Sequence, residues 1–179
     1  MKRKAFLGYD IGSSSIKASL IDGETGELIA SGISPEHEMK IDSPRMGWAE
    51  QHPENWWQHV IAATKIIFSK TSSASVDIGG IGISYQMHGL VLVDKHFNVL
   101  RPSIIWCDSR AVEIGNKAFS DLGSKHCLEH YLNSPGNFTA SKLKWVKENE
   151  PEVYSKIFKI MLPGDFIALK LTGEICTTI

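Results

Sequence analysis

The sequence predicts an α/β fold that begins with an antiparallel three-strand meander and continues into parallel strands with helices. Three observations predict it. An apolar run, Ala5-Phe6-Leu7, leads into Asp10, a second β-prone run, residues 16–21, follows the Gly-Ser turn, and a third run, residues 28–33, follows the turn residues Asp22-Gly23 and Thr25-Gly26. Trp57, Val60, Ile61, Thr64, Ile67 and Phe68 then recur at helical spacing. Finally Ile78-Gly79-Gly80-Ile81-Gly82-Ile83-Ser84 is a short isoleucine-rich run, the pattern of a buried parallel strand.

The remaining elements follow in order. Residues 34–47 are polar, contain Pro35 and Pro44, and read as a loop. Pro53 suits the first turn of the helix that carries the apolar stripe, and Glu54 suits its dipole. Trp48, Trp56 and Trp57 read as packing residues at this spacing. Residues 90–93 and 99–100 bracket Asp94-Lys95-His96-Phe97-Asn98, a hairpin signal. Asp108 or Ser109 is placed to cap a helix running to Gly123, and Ser124 to cap a shorter one through Tyr131. A helix starting near Phe138 is limited by Pro151, a strand is expected at residues 160–162, and a last helix over residues 166–171 ends at Thr172-Gly173.

The chemistry concentrates at the first turn. Asp10 stands at the end of the first strand, followed by Gly12, Ser13 and Ser14. A glycine lets backbone approach a ligand, and serine hydroxyls with backbone N–H groups suit phosphate oxygens. One carboxylate beside phosphates suits Mg2+, which makes Asp10 the candidate metal residue. Lys17 adds a positive charge, although strand alternation could turn it away. No Walker loop is present, because a strand rather than a helix follows the glycine. An ordinary Gly-Ser hairpin is the plain alternative.

Composition excludes several classes. Of the 179 residues 42% are hydrophobic and 22% charged, so the chain is long and apolar enough to bury a core. The net charge of −1 argues against nucleic-acid or anionic-membrane binding. No apolar stretch is long enough to span a bilayer, and Asp10 interrupts the apolar run after the basic start, so no signal peptide is expected. Cys107, Cys127 and Cys176 are odd in number and far apart, which predicts reduced thiols and a cytoplasmic protein.

Several segments, in order, resemble the FGGY carbohydrate kinases, and most closely their xylulokinase branch. They are Tyr9-Asp10-Ile11-Gly12-Ser13-Ser14, the stretch from Trp48 through Trp57, Gly82-Ile83-Ser84-Tyr85-Gln86-Met87-His88-Gly89, Trp106-Cys107-Asp108-Ser109-Arg110 and Phe138-Thr139-Ala140-Ser141-Lys142-Leu143-Lys144-Trp145. Pro163-Gly164-Asp165 and Leu171-Thr172-Gly173-Glu174 also match.

The resemblance implies a ribonuclease-H-like lobe of the actin-like ATPase and sugar kinase superfamily. It implies transfer of the γ-phosphoryl of ATP, with Mg2+, to a ketose such as D-xylulose. Asp10 would organise metal and phosphates, with Gly12, Ser13, Ser14 and Lys17 along the phosphate path. Gln86, Met87 and His88 carry the substrate signal, because glycerol kinases place Arg-Glu after the glutamine. Trp106, Asp108, Arg110 and Asn137 are further candidate substrate contacts; Asp108 and Arg110 could equally cap a helix and pair with each other.

Other implications concern what the chain lacks. The family's general-base aspartate lies in a later Gly-Gly-x-x-Asp segment, so no catalytic residue is assigned within this chain. Residues 1–179 are expected to form the N-terminal part of the first, sugar-binding lobe, without a second lobe, and to be inactive alone. The resemblance leaves room for a homodimer of the complete protein.

Two rival readings stand beside it. A non-catalytic sugar-binding module or regulator on a kinase-like lobe would need no base. His126-Cys127-Leu128-Glu129-His130 matches H-x-x-E-H, a zinc-protease pattern. The plainer reading of that helix buries Cys127, Leu128, Tyr131 and Leu132 and leaves both histidines solvated.

Overall fold

The computed structural model describes residues 2–177. Its contacts divide into two compact units. One contains the chain up to Lys40, Glu54–Gln86 and the segment from Gly164; the other contains Ile41–Pro53 and Met87–Pro163.

The first unit is built on a four-stranded sheet in the order β3-β2-β1-β5. Strand β1 is Arg3–Ile11, β2 is Ile16–Asp22 and β3 is Leu28–Ser34, paired antiparallel as the meander requires. Helix α1, Pro53–Lys70, leads into β5, Val76–Tyr85, which runs parallel to β1. Period-2 alternation buries Ala5, Leu7, Tyr9 and Ile11 of β1 and Ile16, Ala18 and Leu20 of β2. Helix α1 covers this unit's core with Trp56, Val60, Ala63 and Ile67. Its inner face is therefore centred one residue earlier than the stripe led by Trp57 suggested. The close fit of α1 on β3 depends on Gly32, where a Cβ would lie 2.5 Å from the Ala63 carbonyl. The Tyr9 hydroxyl meets Thr64 Oγ1 at 2.6 Å, and Ser34 Oγ lies 2.9 Å from His59 Nδ1. Helix α6, Pro163–Thr172, adds Phe166 and Ile167 to the buried set.

Strand β5 is parallel as expected, but it is not buried. Ile81 is 48% exposed, and of its ten residues only Val76 is buried. Among the described residues β5 is a sheet edge, bonded to β1 alone. An isoleucine-rich run reports apolar potential; whether another layer covers it is a tertiary matter.

A local polar device closes the β2–β3 turn. Asp22 accepts backbone N–H bonds from Thr25 at 2.7 Å and Glu24 at 2.8 Å and pairs with Arg3. The Thr25 N–H, then the Arg3 guanidinium, hold its carboxyl well below the usual carboxylate range. The folded carboxyl is thus more acidic than the unfolded one. Its stabilisation is complete above the ordinary value of 3.8 and is lost as the pH falls below it. Asp22→Asn is expected to flatten the acid limb of a stability–pH curve; an unchanged limb in urea titrations at pH 2–4 would contradict this.

The second unit holds two small sheets and four helices. Strand β4, Glu50–Gln51, pairs with β7, Ser103–Ile104; β6, Val91–Val93, pairs with β8, Lys159–Met161. Helices α2 (Val112–Leu122), α3 (Ser124–Tyr131), α4 (Thr139–Asn149) and α5 (Pro151–Tyr154) complete it. Leu90, Leu92, Ile104 and Val146 form its core cluster, with Leu143, Trp145, Val153 and Tyr154 packed around them. The predicted hairpin is present: the Asp94 N–H donates to the Asn98 carbonyl at 3.0 Å, and Val93 bridges Val99.

Two details of this unit differ from the sequence reading. Neither Asp108 nor Ser109 caps α2, which starts at Val112 after Ala111. The Asp108 carboxylate is taken by the Ala49 N–H and Arg110, and Ser109 Oγ donates to the Gly47 carbonyl. On α3 only Cys127 is buried; Leu128, Tyr131 and Leu132 are exposed.

Candidate functional site

Cross-strand register shapes the phosphate candidate. Asp10 lies opposite Lys17 in the β1–β2 ladder, so both point to the same face, and Lys17 Nζ stands 3.8 Å from Asp10 Oδ2. The alternation that could have turned Lys17 away places it beside Asp10 instead. Both side chains are more than half exposed, which leaves the carboxylate open to a ligand.

Between the strands the turn is tight. The Gly12 N–H donates to the Ser15 carbonyl at 3.2 Å, and a Cβ at Gly12 would sit 2.9 Å from that oxygen. Residue 12 therefore has to be glycine for this turn to close. The Ser14 carbonyl accepts the Met39 N–H at 2.8 Å, which ties the following loop under the turn. Ser13 also has an interaction partner.

These residues suit a phosphate with Mg2+. An open carboxylate, a neighbouring lysine and a run of hydroxyls in a glycine turn are the donors such a group needs. Among the described residues no cluster of three His, Cys, Asp or Glu side chains stands ready to hold a metal.

The substrate candidates start where β5 ends. The Gln86 N–H donates to the Ile11 carbonyl at 2.9 Å, which fastens this point of the chain to the end of β1. Both polar atoms of the Gln86 side-chain amide are buried, and neither has a hydrogen-bond partner among the described residues. Buried amides are nearly always paired, so this one calls for a partner that the described residues do not supply.

Met87 and His88 belong to the second unit. Met87 is 65% exposed. His88 adopts φ +59°, a left-handed conformation that non-glycine residues seldom enter. Its ring stacks on Phe138, with centroids 5.1 Å apart and planes 26° from parallel. Burial, followed by the positive charge of Lys142, pushes its imidazole below the usual histidine value. The ring is therefore neutral at pH 7 and offers one donor and one acceptor.

Asp108 and Arg110 form a buried network rather than an open wall. Arg110 donates from Nε to Asp108 Oδ1 at 2.9 Å and from Nη2 to Oδ2 at 2.7 Å, while its Nη1 stands 2.7 Å from Glu50 Oε1. Glu50 also pairs with Arg101 at 2.5 Å, and Arg101 with Glu150 at 2.8 Å. The Arg110 guanidinium lies 3.8 Å from the Trp48 ring centroid and 5.0 Å from that of Trp145. The mutual pairing allowed by the sequence is thus present, with the Arg110 side chain only 1% exposed. Trp48 and Trp56 are packing residues, as expected: Trp48 meets Trp145 edge to face at 5.2 Å and Trp56 is fully buried.

Trp106 is partly exposed and is steadied by Asn137, whose Nδ2 donates to the Trp106 carbonyl. The Asn137 Oδ1 is buried and unpaired among the described residues, like the Gln86 amide. His126 and His130 are exposed, with rings stacked 4.2 Å apart.

One residue escaped the sequence reading. Lys142 of α4 is fully buried, and its Nζ donates to the His88 carbonyl at 2.8 Å. Burial pushes its ammonium down to about 8; Asp108 and Cys107 oppose this, and Arg110 adds to it. The available signal was its position four residues before Val146 and four after Phe138, on the inward stripe of α4.

Comparison with known proteins agrees with this architecture. Residues 5–179 match the N-terminal domain of the FGGY family of carbohydrate kinases. The chain is 37% identical over 172 residues to a xylulose kinase of Klebsiella pneumoniae, covering 96% of this chain and 34% of that protein. It is 40% identical over 176 residues to a xylulose kinase of Lactococcus lactis, covering 96% of this chain and 33% of that one. A crystal structure described as a xyloylose kinase from Brucella ovis superposes with a TM-score of 0.85 at 36% identity, over 95% of this chain and 34% of that one. The chain thus spans about a third of the length of the relatives it matches. The shared architecture is the sugar-kinase version of the actin-like ATPase fold, in agreement with the ribonuclease-H-like expectation. An ordered set of motifs, the β1–β2 glycine turn and an end-to-end match together place this chain in the FGGY family of carbohydrate kinases.

Proposed function

We propose that the protein carrying this chain phosphorylates a ketose, D-xylulose to D-xylulose 5-phosphate, with ATP and Mg2+ in the cytoplasm. The observation that carries the ketose assignment is the end of β5. A buried, unpaired Gln86 amide is followed there by a neutral His88 held in a left-handed conformation. A polyol needs donors and acceptors in fixed directions, and a neutral imidazole supplies one of each. Met87 offers an adaptable apolar wall. The relatives named xylulose kinase make D-xylulose the first ketose to test. The buried, unpaired oxygen of Asn137 supports a polar contact there, beside Trp106.

On this reading the β1–β2 hairpin holds the phosphates. Asp10 carries the metal, Gly12 permits close approach, and Ser13, Ser14 and Lys17 line the path. Bound ATP and Mg2+ would supply the transferable phosphoryl and the charge that neutralises it. Asp108 is unsuited to act as general base, because both of its oxygens are taken by Arg110 and the Ala49 N–H. The reading therefore assigns no base within the described residues and gives this segment the binding tasks. Asp108 and Arg110 then shape the sugar side of the unit from within.

The test is His88→Ala in the full-length enzyme. Loss of one buried polar contact is worth about 1–3 kcal/mol, so kcat/KM for D-xylulose is expected to fall roughly 10–100-fold. Wild-type ketose kinetics in that variant would remove the assignment.

A further inference from the structure

The start of α4 grips the 87–89 turn from two sides. Phe138 lies against the His88 ring, and one helical turn later Lys142 reaches the His88 carbonyl. Lys142 is 0% exposed, and the Asp108 carboxylate that attracts its charge is itself engaged by Arg110. A lysine in such a place is costly, because its charge is taken out of water with the His88 carbonyl as its hydrogen-bond acceptor. An apolar side chain of similar volume would avoid that cost, so stability alone disfavours a lysine here. What the lysine uniquely supplies is a strong, charge-assisted hold on one peptide group. That group belongs to His88, whose φ of +59° survives only if its surroundings over-determine it.

We propose that Lys142 is a positioning residue for ketose recognition: its ammonium fixes the His88 carbonyl, locks the left-handed 87–89 turn and so aims the imidazole at the sugar. The inference rests on the assignment of His88 to the ketose made above. Lys142 touches no substrate itself; it acts through His88. Phe138 fixes the ring plane while Lys142 fixes the backbone, so the two leave the imidazole one orientation.

The test is a double-mutant cycle in the full-length enzyme, with D-xylulose and ATP. Lys142→Met is expected to lower kcat/KM for D-xylulose about 10-fold, mainly by raising the ketose KM, since slight misplacement of a contact group is enough to cost this. Its thermal midpoint should stay level or rise, because a buried charge has been removed. A purely structural lysine would show the reverse: a lower midpoint with unchanged ketose KM. In a His88→Ala background, Lys142→Met should add no further loss. Lys142→Gln, whose shorter amide falls short of the carbonyl, should repeat the pattern and serves if the methionine variant does not fold. If His88→Ala is damaging while both Lys142 variants keep the wild-type ketose KM, or if the two losses simply add, the inference alone is overturned. If His88→Ala itself leaves ketose kinetics intact, the ketose reading of His88 has failed and the inference falls with it.

Discussion

Asp10→Asn in the full-length enzyme is expected to lower kcat by roughly 10²–10³-fold while leaving the ketose KM close to wild type, the scale seen when one preorganised charge-stabilising group is lost. The substitution keeps the size of the side chain and removes its charge. Asp10 sits on an exposed face at the end of β1, so no buried packing is disturbed. Its partner Lys17 would remain, and a half-exposed pair 3.8 Å apart contributes little to folding. The loss would therefore be one of metal and phosphate organisation. Two measurements check it: steady-state kinetics at saturating D-xylulose, and calorimetric titration of the sugar without nucleotide. An equal loss of sugar binding would move Asp10 from the phosphates to the ketose.

The second large effect is on stability. Asp108→Ala is expected to destabilise the protein by about 3–5 kcal/mol, the usual result of removing one partner from a buried ion pair. Three observations put it at the high end of single substitutions. The Arg110 side chain is 1% exposed and would lose two short hydrogen bonds. Glu50 would remain beside Arg110 but is shared with Arg101. The Ala49 N–H, 2.6 Å from Asp108 Oδ2, would be left without its acceptor. Asp108→Asn should cost less, since an amide oxygen still accepts from Ala49. Chemical denaturation of the three proteins gives the ranking. A near-neutral Asp108→Ala would mean that water reaches Arg110 and that the network is less sealed than its exposure indicates.

Much of the candidate site was legible in the sequence because its signals are local. The Asp10-to-Ser14 turn is written in consecutive residues: glycine is required where a Cβ would meet the Ser15 carbonyl, and β-prone runs flank it. The end of β5 was legible for the same reason, as an apolar run that stops at a polar segment. The ordered motifs supplied the family, and period and proline placed the meander, α1, β5 and α4 to within a few residues, while the short β4, β7 and α5 carried no such signal.

Tertiary structure decided the rest, and in each case the cause lies far away in sequence. Asp108 had the chemistry of a helix cap or of a ligand contact; the arrival of Ala49 and Glu50, more than fifty residues earlier, turned it into the anchor of a buried network. Strand β5 had the composition of a buried strand, yet among the described residues only β1 pairs with it, so its isoleucines stay partly exposed. The apolar residues of α3 matched a buried face, but only Cys127 found cover. Lys142 stood in the sequence only as one residue of the Phe138-to-Trp145 motif, with no role of its own. Its task appears only when α4 packs against the 87–89 turn and brings its ammonium to the His88 carbonyl. By itself the sequence determined which groups exist and which local turns they can make; packing determined which of those groups are occupied by the protein and which are left open for a ligand.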